Sequence, residues 1–85
     1  MSNINVIVHF GAEEAAYEGP ASETVATVKE RALRLLKIVV DPNVEYFLTF
    51  EGQTIQNETQ TLLELLQGKL RERMEFLLKK RPKGG

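Results

Sequence analysis

The stretch Thr61–Lys80, TLLELLQGKLRERMEFLLKK, decides the fold, because it reads in two incompatible ways. Apolar residues at 62, 63, 65, 66, 70, 74, 77 and 78 fit one long amphipathic helix. Against that stands Gly68 near its middle, where glycine costs about 1 kcal/mol relative to alanine. The second reading divides the stretch. Thr61 caps a short helix that ends at Leu66, and Met74–Leu78 is a strand with Met74, Phe76 and Leu78 on its inward face. The divided reading is adopted here, and it turns an apparent helical protein into one that closes on a strand.

Working outward, Glu45–Phe50 (EYFLTF) is a second clear strand, with Tyr46, Leu48 and Phe50 alternating against Phe47 and Thr49. Glu51-Gly52-Gln53 turns it into a short strand around Thr54 and Ile55. Asn3–Phe10 (NINVIVHF) is the third, with Ile4, Val6, Val8 and Phe10 on one face and Asn5, Ile7 and His9 on the other. Gly11 breaks it, and Ala15–Gly19 (AAYEG) is weak in propensity but well placed to complete a hairpin, with Ala15 and Tyr17 facing the core. Between hairpin and third strand, Val25, Val28, Ala32, Leu35, Leu36 and Val39 form a helical stripe of about four turns. Ser22 or Thr24 supplies its N-cap, Glu23 favours its start, Lys37 favours its end, and Asp41-Pro42 stops it. The order is strand, strand, helix, strand, short strand, short helix, strand: an α+β arrangement, with one main helix packed across a mixed sheet of four to five strands.

The bulk numbers fit one small domain. The chain has 85 residues, 42% hydrophobic and 27% charged, with no cysteine. Disulfides, thiolate metal sites and thiol catalysis are therefore excluded within it, and a reducing compartment, the cytoplasm, is expected. No apolar run approaches the roughly 18 residues of a membrane span, so no membrane role is expected. The N-terminus lacks a basic n-region and reads as strand, not signal peptide. Net charge is −1 but uneven: residues 69–85 hold seven basic and two acidic groups, or +5, leaving −6 for the first 68. A polar partner for the basic end is expected. The pI near 5.8 lacks the basic signature of a nucleic-acid binder, so none is expected.

The arrangement resembles the ubiquitin-like proteins of the β-grasp fold. SETVATVKERA (22–32) is similar to that family's helix start. YFLTFEGQTIQNETQTL (46–62) resembles its third strand, glycine turn, short strand and following threonine-leucine. MEFLLKKRPKGG (74–85) resembles its last strand and basic Gly-Gly tail. The chain departs from the family in a short acidic first loop, an abbreviated helix-to-strand connection and a more helical Leu62–Arg73 segment. Those departures suggest a distant relative, as in a bacterial ubiquitination-like pathway. A β-grasp domain over residues 1–78 and a flexible basic tail over 79–85 are expected.

The resemblance implies a protein modifier. In that family the terminal glycine carboxylate is adenylated with ATP by an activating enzyme, carried as a thioester by a conjugating enzyme and joined to amines of target proteins. A peptidase processes or removes it. On this chain Gly85 and Gly84 match the attachment end, while Arg81, Lys83, Lys80 and Lys79 offer charge to an acidic groove of the activating enzyme. Pro82 departs from the pattern by stiffening the arm. ATP would be used by the partner, with no cofactor bound here. Two other readings accompany this one: a sulfur carrier ending in a thiocarboxylate, and a non-covalent interaction module. No nucleophile–base pair, phosphate loop or metal cluster stands out, so an enzyme is not expected. His9, the one histidine, has no second ligand candidate and reads as a surface residue. Ile7, Phe47 and Leu77 share the outward parity of their strands, with His9 and Thr49 beside them. An exposed apolar partner surface is expected there. Lys29 and Lys69 are candidates to accept a further copy of the chain.

Overall fold

A computed structural model describes residues 3–84. Its elements are β1 (Asn3–Phe10), β2 (Glu13–Pro20), α1 (Val25–Leu35), β3 (Val44–Phe50), β4 (Gln53–Thr54), α2 (Leu62–Leu65) and β5 (Arg73–Pro82). The five strands form one sheet in the order β2-β1-β5-β3-β4. β1 and β5 run parallel at its centre, and the other pairs are antiparallel. The divided reading of Thr61–Lys80 is therefore correct, and the expected mixed sheet has five strands.

The inward faces of the strands and one face of α1 make the core. Ile4, Val6, Val8, Val25, Val28, Ala32, Leu48, Leu62, Met74 and Phe76 are almost wholly removed from solvent. Phe50 and Phe76 meet across β3 and β5 with ring centroids 5.2 Å apart. Full burial of a side chain of this size contributes about 1.5–3 kcal/mol, so this layer supplies most of the fold's driving force. β3 turns into β4 through Glu51 and Gly52, both at positive φ (51° and 81°), as a two-residue turn of type I′ requires.

α1 is shorter than expected. Thr24 is the N-cap, accepting from the Thr27 N–H, and the helix ends at Leu35 instead of reaching Val39. Lys37 adopts φ 57°, its N–H donates to the Arg34 carbonyl and the Ile38 N–H to the Leu33 carbonyl. Those two bonds are a Schellman closure. Val39, assigned to the core stripe from the sequence, consequently lies beyond the helix and is 91% exposed. α2 closes the same way, with Gln67 at φ 56°, its N–H on the Glu64 carbonyl and the Gly68 N–H on the Leu63 carbonyl.

The two helix starts satisfy each other's unpaired donors. The Val25 and Ala26 N–H groups donate to the Gln60 and Glu58 carbonyls, and the Leu62 and Leu63 N–H groups to those of Glu23 and Ala21. Glu23 does not sit on the helix start as expected. Its side chain turns back, is only 4% exposed, and accepts the Tyr17 hydroxyl at 3.0 Å. The Tyr17 phenol is pushed up by burial and then by the Glu23 charge and hydrogen bond, with Arg31 opposing.

Candidate functional site

The site is built around the end of β5. Met74, Phe76 and Leu78 anchor the strand in the core, flanked by β1 and β3. The pairing with β1 ends at His9↔Leu77, but β5 continues along β3 alone: Phe47↔Lys79, Tyr46↔Lys80, Glu45↔Arg81 and Val44↔Pro82. The Lys83 N–H then donates to the Asn43 carbonyl at 3.0 Å. The domain boundary expected at residue 78 thus falls inside β5, not at its end. The basic run read as tail composition is a strand as far as Pro82, because Val44–Phe47 offers it an open edge.

The four residues assigned to activating-enzyme contact, Lys79, Lys80, Arg81 and Lys83, are all exposed, and Arg81 is also engaged. Arg81 Nη2 donates to Glu45 Oε1 at 2.7 Å, and its guanidinium carbon lies 4.6 Å from the centroid of the Phe47 ring. The hydrogen bond from Arg81, and then its charge, hold the Glu45 carboxyl below the usual carboxylate range, with smaller help from Lys29 and Lys83. A Cβ placed on Gly84 would meet nothing within 4 Å, so that part of the arm stands clear of the domain. Gly85, the expected attachment residue, lies outside the described residues.

The outer sheet face is less apolar than expected. His9, Leu77 and Thr49 stand side by side on β1, β5 and β3. Leu77 is 45% exposed, whereas Thr49 is 6% and Ile7 8% exposed, and Phe47 is half-buried beneath Arg81. The anticipated patch of three exposed apolar residues is a single exposed leucine, because parity assigns a residue to a face but not what covers it. Beside Leu77, His9 Nε2 lies 2.8 Å from Glu75 Oε1, and Arg73 Nε lies 3.5 Å from Glu75 Oε2. His9 and then Arg73 hold the Glu75 carboxyl below its ordinary range.

Lys29, a candidate acceptor of a further copy, is tied down. Its ammonium donates to both Glu58 oxygens (2.7 and 2.9 Å) and to the Tyr46 carbonyl (3.2 Å), using the three donors a lysine has. Lys69 is exposed. A cleft of about 410 Å³ between α1 and the β3 edge is lined by Lys29, Glu45, Tyr46, Glu58 and Arg81 among others. Its charges are paired with one another, Lys29 with Glu58 and Arg81 with Glu45. Among the described residues no three His, Cys, Asp or Glu side chains converge as metal ligands, and no helix is long and apolar enough to cross a membrane.

The Arg81–Glu45–Phe47 contact is the feature that sequence reasoning missed. The alternation of EYFLTF already put Glu45 and Phe47 on one face. Only the register between β3 and β5, a long-range property, brings Arg81 onto them.

No protein-family model and no curated protein sequence matches the chain. Solved structures do. The ubiquitin of Caldiarchaeum subterraneum is similar at a TM-score of 0.75 and 22% identity, over 99% of this chain and 100% of that one. A ubiquitin-like domain of an Arabidopsis thaliana protein is similar at 0.69 and 19%, over 93% and 78%. A chain from a structure concerning molecular mimicry of SUMO in DNA repair is similar at 0.69 and 16%, over 93% and 92%. Similarity over nearly the whole of each chain, together with the strand order above, establishes the architecture: this chain has the ubiquitin-like β-grasp fold.

Proposed function

We propose that this chain is a ubiquitin-like protein modifier, joined to amines of target proteins through Gly85. The observation that carries the reading is the placement of β5. A strand at the centre of a ubiquitin-like sheet projects a basic arm whose last two residues have no side chain. Those glycines can extend or turn inside a narrow passage that any Cβ would obstruct. Gly85 acts whether it ends the chain as synthesised or is exposed by a peptidase.

The chemistry runs in four steps, the third a transfer of the acyl group from one thiol to another. A carboxylate oxygen of Gly85 attacks the α-phosphorus of ATP on an activating enzyme, and pyrophosphate leaves. A cysteine thiolate of that enzyme attacks the acyl adenylate, AMP leaves, and a thioester forms that is passed to a conjugating enzyme's cysteine. A lysine amine of the target attacks the thioester, the thiol leaves, and an amide remains. The chain is the substrate of these steps and not their catalyst. It contributes an accessible carboxylate and the charge of Lys79, Lys80, Arg81 and Lys83 for an acidic groove. Leu77, with His9 and the half-buried Phe47 beside it, is the face on which partners read the folded domain. A cytoplasmic setting suits a chain without cysteine.

ATP–pyrophosphate exchange tests the first step. Extract of the chain's own cells, supplied with the purified protein and labelled pyrophosphate, is expected to form labelled ATP in proportion to added chain. A variant lacking Gly84 and Gly85 is expected to add nothing to the exchange the extract shows on its own. Equal exchange with both proteins contradicts the proposal.

A further inference from the structure

The arm is held to the domain with very little. Lys79–Pro82 are exposed, paired with β3 on one side only, and contribute nothing to the core. Segments with few buried contacts at the edge of a sheet open most easily. The run also carries four cations within five residues, 79–83, which repel one another. Yet the pairing persists to Pro82 and the Lys83 N–H still reaches Asn43. The side-chain contact that accompanies it is the grip on Arg81: Glu45 at 2.7 Å on one side and the Phe47 ring at 4.6 Å beneath. All three side chains stand on the outer face in adjacent register positions.

From this geometry we infer that Glu45 and Phe47 are positioning residues for the arm: they clamp Arg81, keep β5 zipped to β3 through Pro82, and are displaced when an acidic partner takes the guanidinium. A guanidinium binds one carboxylate in its preferred forked geometry at a time along a given edge. Glu45 holds Nη2 through one oxygen, so a partner carboxylate that forks onto an edge including Nη2 competes with Glu45, and success frees residues 79–83 to lengthen the reach of Gly84 and Gly85. Release of the arm is thereby coupled to recognition of its charge. The consequence for activation rests on the modifier reading above, whereas the clamp is a property of the free chain.

Amide hydrogen exchange of the purified chain, read by NMR without ATP or partner, tests the clamp. Lys83 is the reporter, with Val8 and Phe76 as references for the intact fold. In the wild-type protein the Lys83 amide is expected to exchange more slowly than in an unstructured peptide. Glu45→Gln is expected to accelerate it about two- to five-fold, the range for an exposed ion pair, without moving the references. Arg81→Gln, which also removes the contact with the Phe47 ring, is expected to accelerate it at least as much, and the double variant to match Arg81→Gln alone, as for members of one interaction. Unchanged exchange in Glu45→Gln, or fully additive effects in the double variant, overturns the clamp. Failure of ATP–pyrophosphate exchange would count against the proposed function and leaves the clamp to be judged by Lys83 alone.

Discussion

At the scale of single residues, Glu23 shows how tightly one charged side chain is built into the fold. One carboxylate oxygen accepts the Tyr17 hydroxyl, and Arg31 Nε lies 3.9 Å away. The other oxygen is buried without a partner among the described residues and rests directly over Gly19. Arg31 also lies 4.8 Å from the Tyr17 ring centroid, so the three side chains form one interlocked group under the β2 edge. A Cβ at Gly19 would collide with that Glu23 oxygen and press on the Tyr17 ring. Because Glu23 is enclosed, it has no room to swing aside. Gly19→Ala is therefore expected to destabilise the fold by about 1–3 kcal/mol, the cost of overpacking a closed site. Urea denaturation with an unchanged m-value measures it. None of this was legible beforehand: a glutamate before a helix reads as a dipole partner, and only the packing of β2 against α1 turns it inward.

At the scale of elements, β1, β3, β5 and the short second helix were legible because each carries its own local signal, whereas β2 was placed by its position beside β1. Two-residue alternation gave β1, β3 and the inward face of β5. Thr61 marked the start of α2, where the structure adds a capping box: the Thr61 N–H donates to Glu64 Oε1 at 2.8 Å and the Glu64 N–H to Thr61 Oγ1 at 3.1 Å. Element ends were less legible. Both helices stop at a residue in the left-handed region that is not glycine, Lys37 in one and Gln67 in the other. Lys37 suits the last turn of a helix, but neither residue type marks a left-handed stop, so the stripe of α1 seemed to run on to Val39. L-residues pay roughly 1–2 kcal/mol for that conformation, and glycine avoids most of it. Lys37→Gly is accordingly expected to raise stability by about 0.5–1 kcal/mol, since the side chain is exposed and makes no part of the core. An increase in the urea midpoint checks it, and a decrease would mean that Lys37 holds the closure through its side chain. The other illegible end is that of β5. A run of four basic residues reads as solvated tail, yet its backbone pairs with a strand more than thirty positions earlier, as the Glu45↔Arg81 register shows.

At the scale of the whole molecule, a parallel pair at the centre of the sheet carries β5 out of the core with its direction fixed, and the arm inherits that direction. In the proposed function, the basic strand end addresses the arm to its partner and the two glycines let it enter a confined site. The outer face was legible in outline, since parity put His9, Thr49 and Leu77 together, but not in character, since burial of Ile7 and the stacking of Arg81 over Phe47 depend on neighbours across three strands. The central claim is that Gly85 becomes covalently bonded to amines. It is tested most directly by mass spectrometry of proteins captured under denaturing conditions from the chain's own cells, with an N-terminally tagged chain as bait. Trypsin cuts after Lys83, so the account predicts target peptides bearing a Gly-Gly remnant on lysine, present with the intact chain and lost when Gly84 and Gly85 are deleted. Capture of only the unattached chain, or of a chain ending in a thiocarboxylate with no lysine remnant, would contradict it.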